Sequence, residues 1–121
     1  MANTTLMKMG PTYLALSTYF GDDVSITLEF YQDDTLTTKE DVSTWDMRMD
    51  VRTYLGTDVA LTRDDTNAAT GTLVFSSPWA TFNASDEFIP NREHGWDCKR
   101  QDNNRTVFAG PFHVVANRAA T

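Results

Sequence analysis

Two histidines are the side chains in this sequence best suited to acid–base chemistry. His94 and His113 are nineteen residues apart, and no G-x-S-x-G or similar nucleophile signature accompanies them. Because a Ser-His-Asp arrangement needs only closeness in the fold, spacing alone leaves such a triad open. The sequence favours surface or core positions for both histidines. It predicts no catalytic residue and no enzyme activity.

Cys98 is the only cysteine, which excludes an intramolecular disulfide and a zinc site made of cysteines. It alternates with Trp96, so we expect it on an apolar face, where a thiol packs as a small hydrophobic group. A catalytic thiolate would need an electropositive, partly open setting. Lys99 and Arg100 follow in sequence, but they do not both share its face. The sequence therefore predicts a core role for Cys98.

Three acidic pairs are the candidate metal ligands. They are Asp22-Asp23, Asp33-Asp34 and Asp64-Asp65. Each lies in a predicted turn, where aspartate commonly makes local hydrogen bonds. None has the D-x-D-x-D-G spacing of a calcium loop. We predict no metal and no cofactor, with calcium at one end of the fold as the alternative.

The elements that carry these residues are predicted by alternating apolar residues. Two runs show the pattern: Val24, Ile26, Leu28 and Phe30, then Trp45, Met47, Met49 and Val51. A period of two gives a strand one apolar face and one wet face, whereas around a helix it would disperse. Similar reasoning predicts seven strands, at 13–19, 24–31, 45–52, 59–62, 71–76, 96–100 and 105–115.

Two breaks in the strand pattern have their own interpretation. Pro78 to Phe82 predicts a helical turn over an open end of the sheet, with Trp79 and Phe82 aimed at the core. Gly110-Pro111 predicts an edge strand or a bulge, because proline cannot donate to a sheet ladder. Several short strands without a long helix predict an all-β, two-sheet sandwich.

We predict three segments: an N-terminal arm at 1–12, a β-sandwich domain at 13–116 and a C-terminal tail at 117–121. The arm has two interpretations. It is either a loose terminus or an anchor that uses Leu6, Met7 and Met9 to bind a neighbouring subunit.

The wet face of the 45–52 strand also has two interpretations. Arg48 and Arg52 share it with Asp46 and Asp50. Such a row is either a solvated face with cross-strand ion pairs or a docking surface that fixes the register of a partner.

The charge balance limits the classes of partner. Seventeen acidic residues against ten basic ones give a formal charge of -7. Nucleic-acid binding needs clustered lysine and arginine, so no nucleic-acid partner is expected. The sequence shows neither a secretory signal nor an apolar stretch of the ~20 residues that span a membrane, so no membrane association is expected. A basic or neutral partner surface is favoured.

Several segments occur in a familiar order. These are Gly21 to Phe30, Asp41 to Arg52, Gly71 to Ser76, Gly95 to Asp102 and Val107 to Val114. Over residues 13–116 the series resembles the small immunoglobulin-like domains of tailed-bacteriophage virions. It is similar to the N-terminal domain of baseplate upper proteins and to stand-alone virion structural proteins.

The resemblance implies an immunoglobulin-like sandwich of about seven strands with one short helical turn. It implies a non-enzymatic virion protein, made in the host cytoplasm, that docks on a symmetric assembly. The expected role is a tail, baseplate or fibre-attachment adaptor. Its partners would be other virion proteins and further copies of itself, and the family offers no catalytic residues.

Two alternatives stay open. Baseplate upper proteins usually continue into a helical stalk and a distal domain that this sequence lacks, which favours a capsid decoration (cement) protein. A carbohydrate-binding module is the other alternative, with Trp79, Phe82 or Tyr54 stacking on a sugar ring.

Overall fold

The computed structural model describes residues 2–7, 12–32, 37–102 and 105–116, and these form two packed β-sheets. The described strands are β1 (Ala2–Met7), β2 (Thr12–Tyr13), β3 (Leu16–Tyr19), β4 (Val24–Phe30), β5 (Met47–Arg52), β6 (Asp58–Ala60), β7 (Thr62–Asp64), β8 (Thr72–Ser77), β9 (His94–Arg100) and β10 (Arg105–Val115). Helical structure within these ranges comprises a 3-10 turn at Ala68–Thr70 and one turn of helix, α1 (Trp79–Phe82).

The strand order is that of an immunoglobulin-type sandwich. One sheet has the order β1-β4-β8-β7, and the other has the order β2-β10-β9-β5-β6, with β3 also paired to β10. If β4 is the B strand, the first sheet holds strands B, E and D and the second holds G, F and C, as in immunoglobulin domains. The predicted all-β sandwich is confirmed. The described strands number ten rather than seven because two predicted strands are each split and β1 is additional.

Alternation of side chains builds the core, as the sequence predicts. In β4 every second residue, from Val24 to Phe30, is at most 1% exposed, and Met47, Met49 and Val51 of β5 are buried in the same way. Phenylalanine fills the space between the sheets, and each buried ring contributes on the order of 1.5–3 kcal/mol. The fully buried rings are Phe30, Phe75, Phe82, Phe88, Phe108 and Phe112.

The predicted first strand is interrupted between β2 and β3. At this break the Leu14 amide donates to the Ala109 carbonyl at 2.8 Å. The Leu14 backbone comes so close to β10 that a Cβ on Gly110 would lie 1.7 Å from the Leu14 oxygen. The break is therefore made by a close backbone approach that only glycine permits.

The prediction of an edge or bulge at Gly110-Pro111 is wrong. β10 has neighbours on both sides, and its register shift lies between Thr106 and Phe108. β2 pairs with β10 as far as Ala109 and β3 resumes at Phe112, so Pro111 lies opposite the break. Proline has no N–H to donate, and it is tolerated at this position because neither β2 nor β3 pairs with it.

The predicted edge strand at 59–62 is also split. Ala60 belongs to β6 in one sheet and Thr62 to β7 in the other. Leu61 makes the crossing, buried at 6% exposure, and its amide donates to the Met49 carbonyl at 3.0 Å. The chain thus passes from sheet to sheet in a single residue.

The strand predicted from residue 45 begins at Met47. Trp45 lies before it in a turn, because its amide donates to the Val42 carbonyl at 3.1 Å. The Trp45 ring packs edge-on against Phe30 at 5.5 Å, and the Arg100 guanidinium lies 4.3 Å from the ring centroid. The ring closes this end of the core from outside the strand.

The predicted helical turn is confirmed as α1. Phe82 is fully buried, and the half-buried Trp79 ring lies 5.0 Å from Phe20. Pro78, the N-cap residue of this turn, has no side chain that can cap it. The Asp23 carboxylate instead accepts a hydrogen bond from the Trp79 amide at 2.8 Å. One acid of the Asp22-Asp23 pair therefore fixes this helical turn.

Candidate functional site

Residues 2–7 of the predicted arm lie on the edge of the first sheet, whereas residue 12 belongs to β2 of the second sheet. β1 runs parallel to β4, in a register from Ala2 opposite Ser25 to Met7 opposite Phe30. Leu6 lies opposite Glu29. Met9 and the predicted 117–121 tail lie outside the described residues. The predicted arm thus has a pairing site on the chain's own sheet, and the β4 edge accepts an N-terminal strand.

Arg48 and Arg52 lie on the outer face of the second sheet and form ion pairs there. Arg48 Nε donates to Asp50 Oδ1 at 3.1 Å, and Arg52 Nε donates to Asp58 Oδ1 at 2.8 Å. The Asp58 carboxylate raises the pKa of Arg52. Exposed pairs of this kind are screened by solvent and add little to stability. Asp46, predicted on the same face, precedes the strand, and its carbonyl accepts from the Gln101 amide at 2.7 Å.

Beside these arginines the sheet face carries a groove of about 520 Å³. Its floor includes Gly95, Ala109 and Gly110, which have a methyl group or no side chain. Tyr13 and Tyr54 line it and are 79% and 38% exposed. The face is concave because small residues in β9 and β10 lie between larger side chains from flanking segments.

Two carboxylates face each other across neighbouring strands within this groove. Asp50 of β5 is the direct partner of Asp97 of β9, on the outward side of the sheet. Arg48 neutralises Asp50, whereas no described residue forms a hydrogen bond or an ion pair with Asp97. Partial burial raises the pKa of Asp97, and the Asp50 charge adds to the rise. Like charges placed directly opposite destabilise a sheet.

The structure gives the two histidines different environments on adjacent strands. His94 is 2% exposed and lies opposite Phe112, the residue before the exposed His113. His94 Nδ1 accepts from the Tyr54 amide at 3.0 Å, and Nε2 lies 3.0 Å from the Ile89 carbonyl. The first bond makes Nδ1 an acceptor, so Nε2 carries the proton. Both ring nitrogens therefore form hydrogen bonds with backbone groups.

Cys98 is fully buried, as predicted, and burial raises the pKa of its thiol. The negative charge of Asp97 acts in the same direction. A raised pKa favours the thiol over the nucleophilic thiolate. Cys98 is therefore a packing residue.

The acidic pairs have local partners where they are described. Asp64 Oδ1 accepts from the amide and the hydroxyl of Thr66 at 3.0 and 2.6 Å, which closes a turn. These bonds lower the pKa of Asp64. Asp33-Asp34 lies outside the described residues. Among the residues that the structure describes, no group of three or more His, Cys, Asp or Glu has metal-binding geometry.

The aromatic residues proposed for sugar stacking divide into two sets. Phe82 is fully buried and cannot stack on a sugar, and Trp79 is partly buried against the core with its ring beside Phe20 and Phe82. Tyr54 is exposed at the groove, with the Arg92 guanidinium 5.5 Å from its ring. Within the described ranges no helix is both long and apolar enough to cross a bilayer.

Sequence reasoning missed Tyr13 and Asp97 as surface residues of one site. Asp97 has a local signal, since it alternates with the inward Trp96 and Cys98 and must point outward. Its position opposite Asp50 depends on the register of β5 against β9, which cannot be read from a single sequence. Tyr13 joins the site only because β2 pairs with β10.

The fold and the site define an all-β, immunoglobulin-type sandwich with a polar groove on one sheet face. No protein-family model and no curated protein matches the sequence. Among solved structures the chain is similar to one titled "N-terminal domain of phage TP901-1 ORF48". The sequence identity is 13% and the TM-score is 0.43, and the match covers 91% of this chain and 100% of that chain.

Proposed function

We propose that this chain is a non-enzymatic structural protein of a tailed-phage virion. It docks on a symmetric assembly as a tail, baseplate or fibre-attachment adaptor. The motif order described above supports the class, since its segments fall on β4, β5, β8, β9 and β10. The engaged ring nitrogens of His94 and the buried Cys98 support a role without catalysis.

The observation that carries the proposal is the pairing of β1 with the β4 edge. Six consecutive residues, Ala2–Met7, pair in parallel with one register. A strand that adds to a sheet edge gains backbone hydrogen bonds whether it comes from the same chain or from another. The mechanism we propose is exchange of this strand between neighbouring copies. Many repeated contacts in a particle then multiply a modest single affinity.

Exchange is testable with a cysteine pair at one register position. Thr4 and Thr27 are Cα partners, and neighbouring strands lie about 4.8 Å apart, within reach of a disulfide. A Thr4→Cys/Thr27→Cys variant should give a crosslinked ladder between chains in assembled particles and an intrachain bond in isolated monomers. Each single variant is the control. An intrachain bond alone in particles would rule out exchange.

Incorporation into a particle is tested separately. A tagged chain produced during infection should co-purify with phage particles, and a variant lacking residues 2–7 should fold but be lost from them. Gold-labelled antibody on the tail supports the adaptor role, whereas label spread over the head supports capsid decoration. A chain absent from purified particles would contradict the virion proposal.

A further inference from the structure

The groove on the second sheet has the features of an interaction surface. Four large hydrophobic side chains are exposed in the described part of the chain, and two of them, Tyr13 and Tyr54, line it. A third, Leu55, follows Tyr54 and is 64% exposed. Exposed apolar groups that cluster beside a concavity mark binding sites more often than scattered ones do. Tyrosine suits interfaces because it combines a rigid ring with a polar end.

The charges lining the groove indicate the chemistry of its occupant. The acids are Asp50, Asp58, Glu93 and Asp97, against one base, Arg52. Asp58 forms an ion pair with Arg52. Asp50 forms an ion pair with Arg48, which does not line the groove. Asp97 is left as a half-buried carboxylate to which no described residue supplies an ion pair. A cationic group from a partner could therefore form an ion pair with Asp97.

The geometry favours arginine over a simple ion. Asp50 and Asp97 are directly opposite, which places their Cβ atoms about 5 Å apart. A planar guanidinium can donate to two carboxylates at once, and it stacks on aromatic rings more readily than an ammonium does. The floor at Gly95 and Ala109 leaves room for a side chain to lie flat on the sheet.

We propose that this groove docks a protein segment that inserts an arginine side chain over Asp97 and Asp50, with its flanks against Tyr13 and Tyr54. The proposal does not depend on the virion assignment, because it concerns the outer face of one sheet rather than β1. The excess of acidic residues in the whole chain favours approach of a basic partner in the same direction.

The probe is a synthetic peptide, acetyl-Gly-Arg-Gly-amide, compared with the same peptide carrying neutral citrulline. Titration followed by ¹H–¹⁵N NMR should shift the amides of Gly95, Asp97 and Gly110 with the arginine peptide and leave them in place with citrulline. Asp97→Asn should weaken binding about fivefold, the size of a partly exposed ion pair. Tyr13→Ala should also weaken it, and at 79% exposure its loss does not threaten the fold.

Asp65→Asn removes an equal charge at an exposed position and should leave binding unchanged. Equal shifts with both peptides, or arginine binding that Asp97→Asn does not weaken, would overturn the proposal. Maltotriose and diacetylchitobiose are titrated in parallel. Shifts of the same amides by either sugar, without a response to arginine, would make this a carbohydrate site and also overturn the proposal.

Discussion

The indole of Trp96 donates from Nε1 to the carbonyl of Leu14 at 3.0 Å, across 82 residues of sequence. Trp96 lies on β9, and Leu14 lies in the break between β2 and β3, so the bond links this break to a strand two places away in the same sheet. The same carbonyl lies closest to Gly110. The Leu14 carbonyl oxygen therefore fixes the position of the break between β2 and β3.

Replacement of Trp96 by phenylalanine removes this donor while keeping an aromatic ring in place. We expect a loss of about 1–2 kcal/mol in the free energy of unfolding, because a partly buried carbonyl loses its partner. Urea denaturation measures the change. Trp45→Phe, at a half-buried ring, is the comparison and should cost less. An equal loss at both positions would show that ring volume, rather than the hydrogen bond, governs the result.

Gly110→Ala should be among the most damaging single changes. The added Cβ would meet the Leu14 oxygen at 1.7 Å, so the break between β2 and β3 must move, at a cost of about 3 kcal/mol or more. Gly56→Ala is the matched control. Gly56 has φ +93° and nothing within 4 Å of an added Cβ, so only backbone strain of about 1 kcal/mol is expected. Similar thermal midpoints for the two variants would contradict this account.

Asp97→Asn should stabilise the free protein at neutral pH. Its raised pKa means that folding penalises the charged carboxylate, so the penalty is present above the folded pKa and absent below the unfolded value. Removal of a like charge opposite Asp50 is expected to gain about 0.5 kcal/mol. Asp58→Asn on the same face breaks the pair with Arg52 and should bring no gain. Denaturation at pH 7 and pH 3 checks both the sign and its dependence on pH.

Glu87 should make stability depend on pH in the opposite sense. The hydroxyls of Thr53 and Thr57 donate to its carboxylate and lower its pKa. The stability from these bonds is therefore present above the unfolded pKa of about 4.3 and is lost as pH falls through the lower folded value. Glu87→Gln should flatten the acid limb of a plot of stability against pH. An acid limb that is the same in Glu87→Gln and in the parent protein would exclude this role.

Cys98 should resist alkylation in the native protein. The side chain is fully buried, and its raised thiol pKa leaves little thiolate to react. Iodoacetamide labelling followed by mass spectrometry should therefore track global unfolding and be complete in urea. Labelling of the native protein at the rate of a free thiol would contradict the buried position.

Local patterns in the sequence predict much of the fold. The period of two predicts the buried faces of β4 and β5 correctly, and the spacing of Trp79 and Phe82 predicts the helical turn. These features depend on residues within a few positions of one another. The interruption at Leu14 is different, since its cause is Gly110, far along the chain.

The candidate site is less predictable for the same reason. Arg48 and Arg52 are identified from one strand, because alternation alone gives their face. The opposition of Asp50 and Asp97 depends on how β5 and β9 align, and the exposure of Tyr13 depends on the short β2 pairing. Such relationships come from strand register, which the hydrophobic pattern constrains only to the correct face.

Because the chain crosses between the sheets at Leu61, the two edges of the sandwich differ in how well they can pair with a strand from another copy. On that side the outermost strands, β6 and β7, have three residues each and are joined through the crossing residue. They offer an incoming strand few backbone groups. The opposite side carries the six-residue β1. If each copy passed its β1 to the next in an open series, all copies would point the same way, and such an array would be polar, with distinguishable leading and trailing ends.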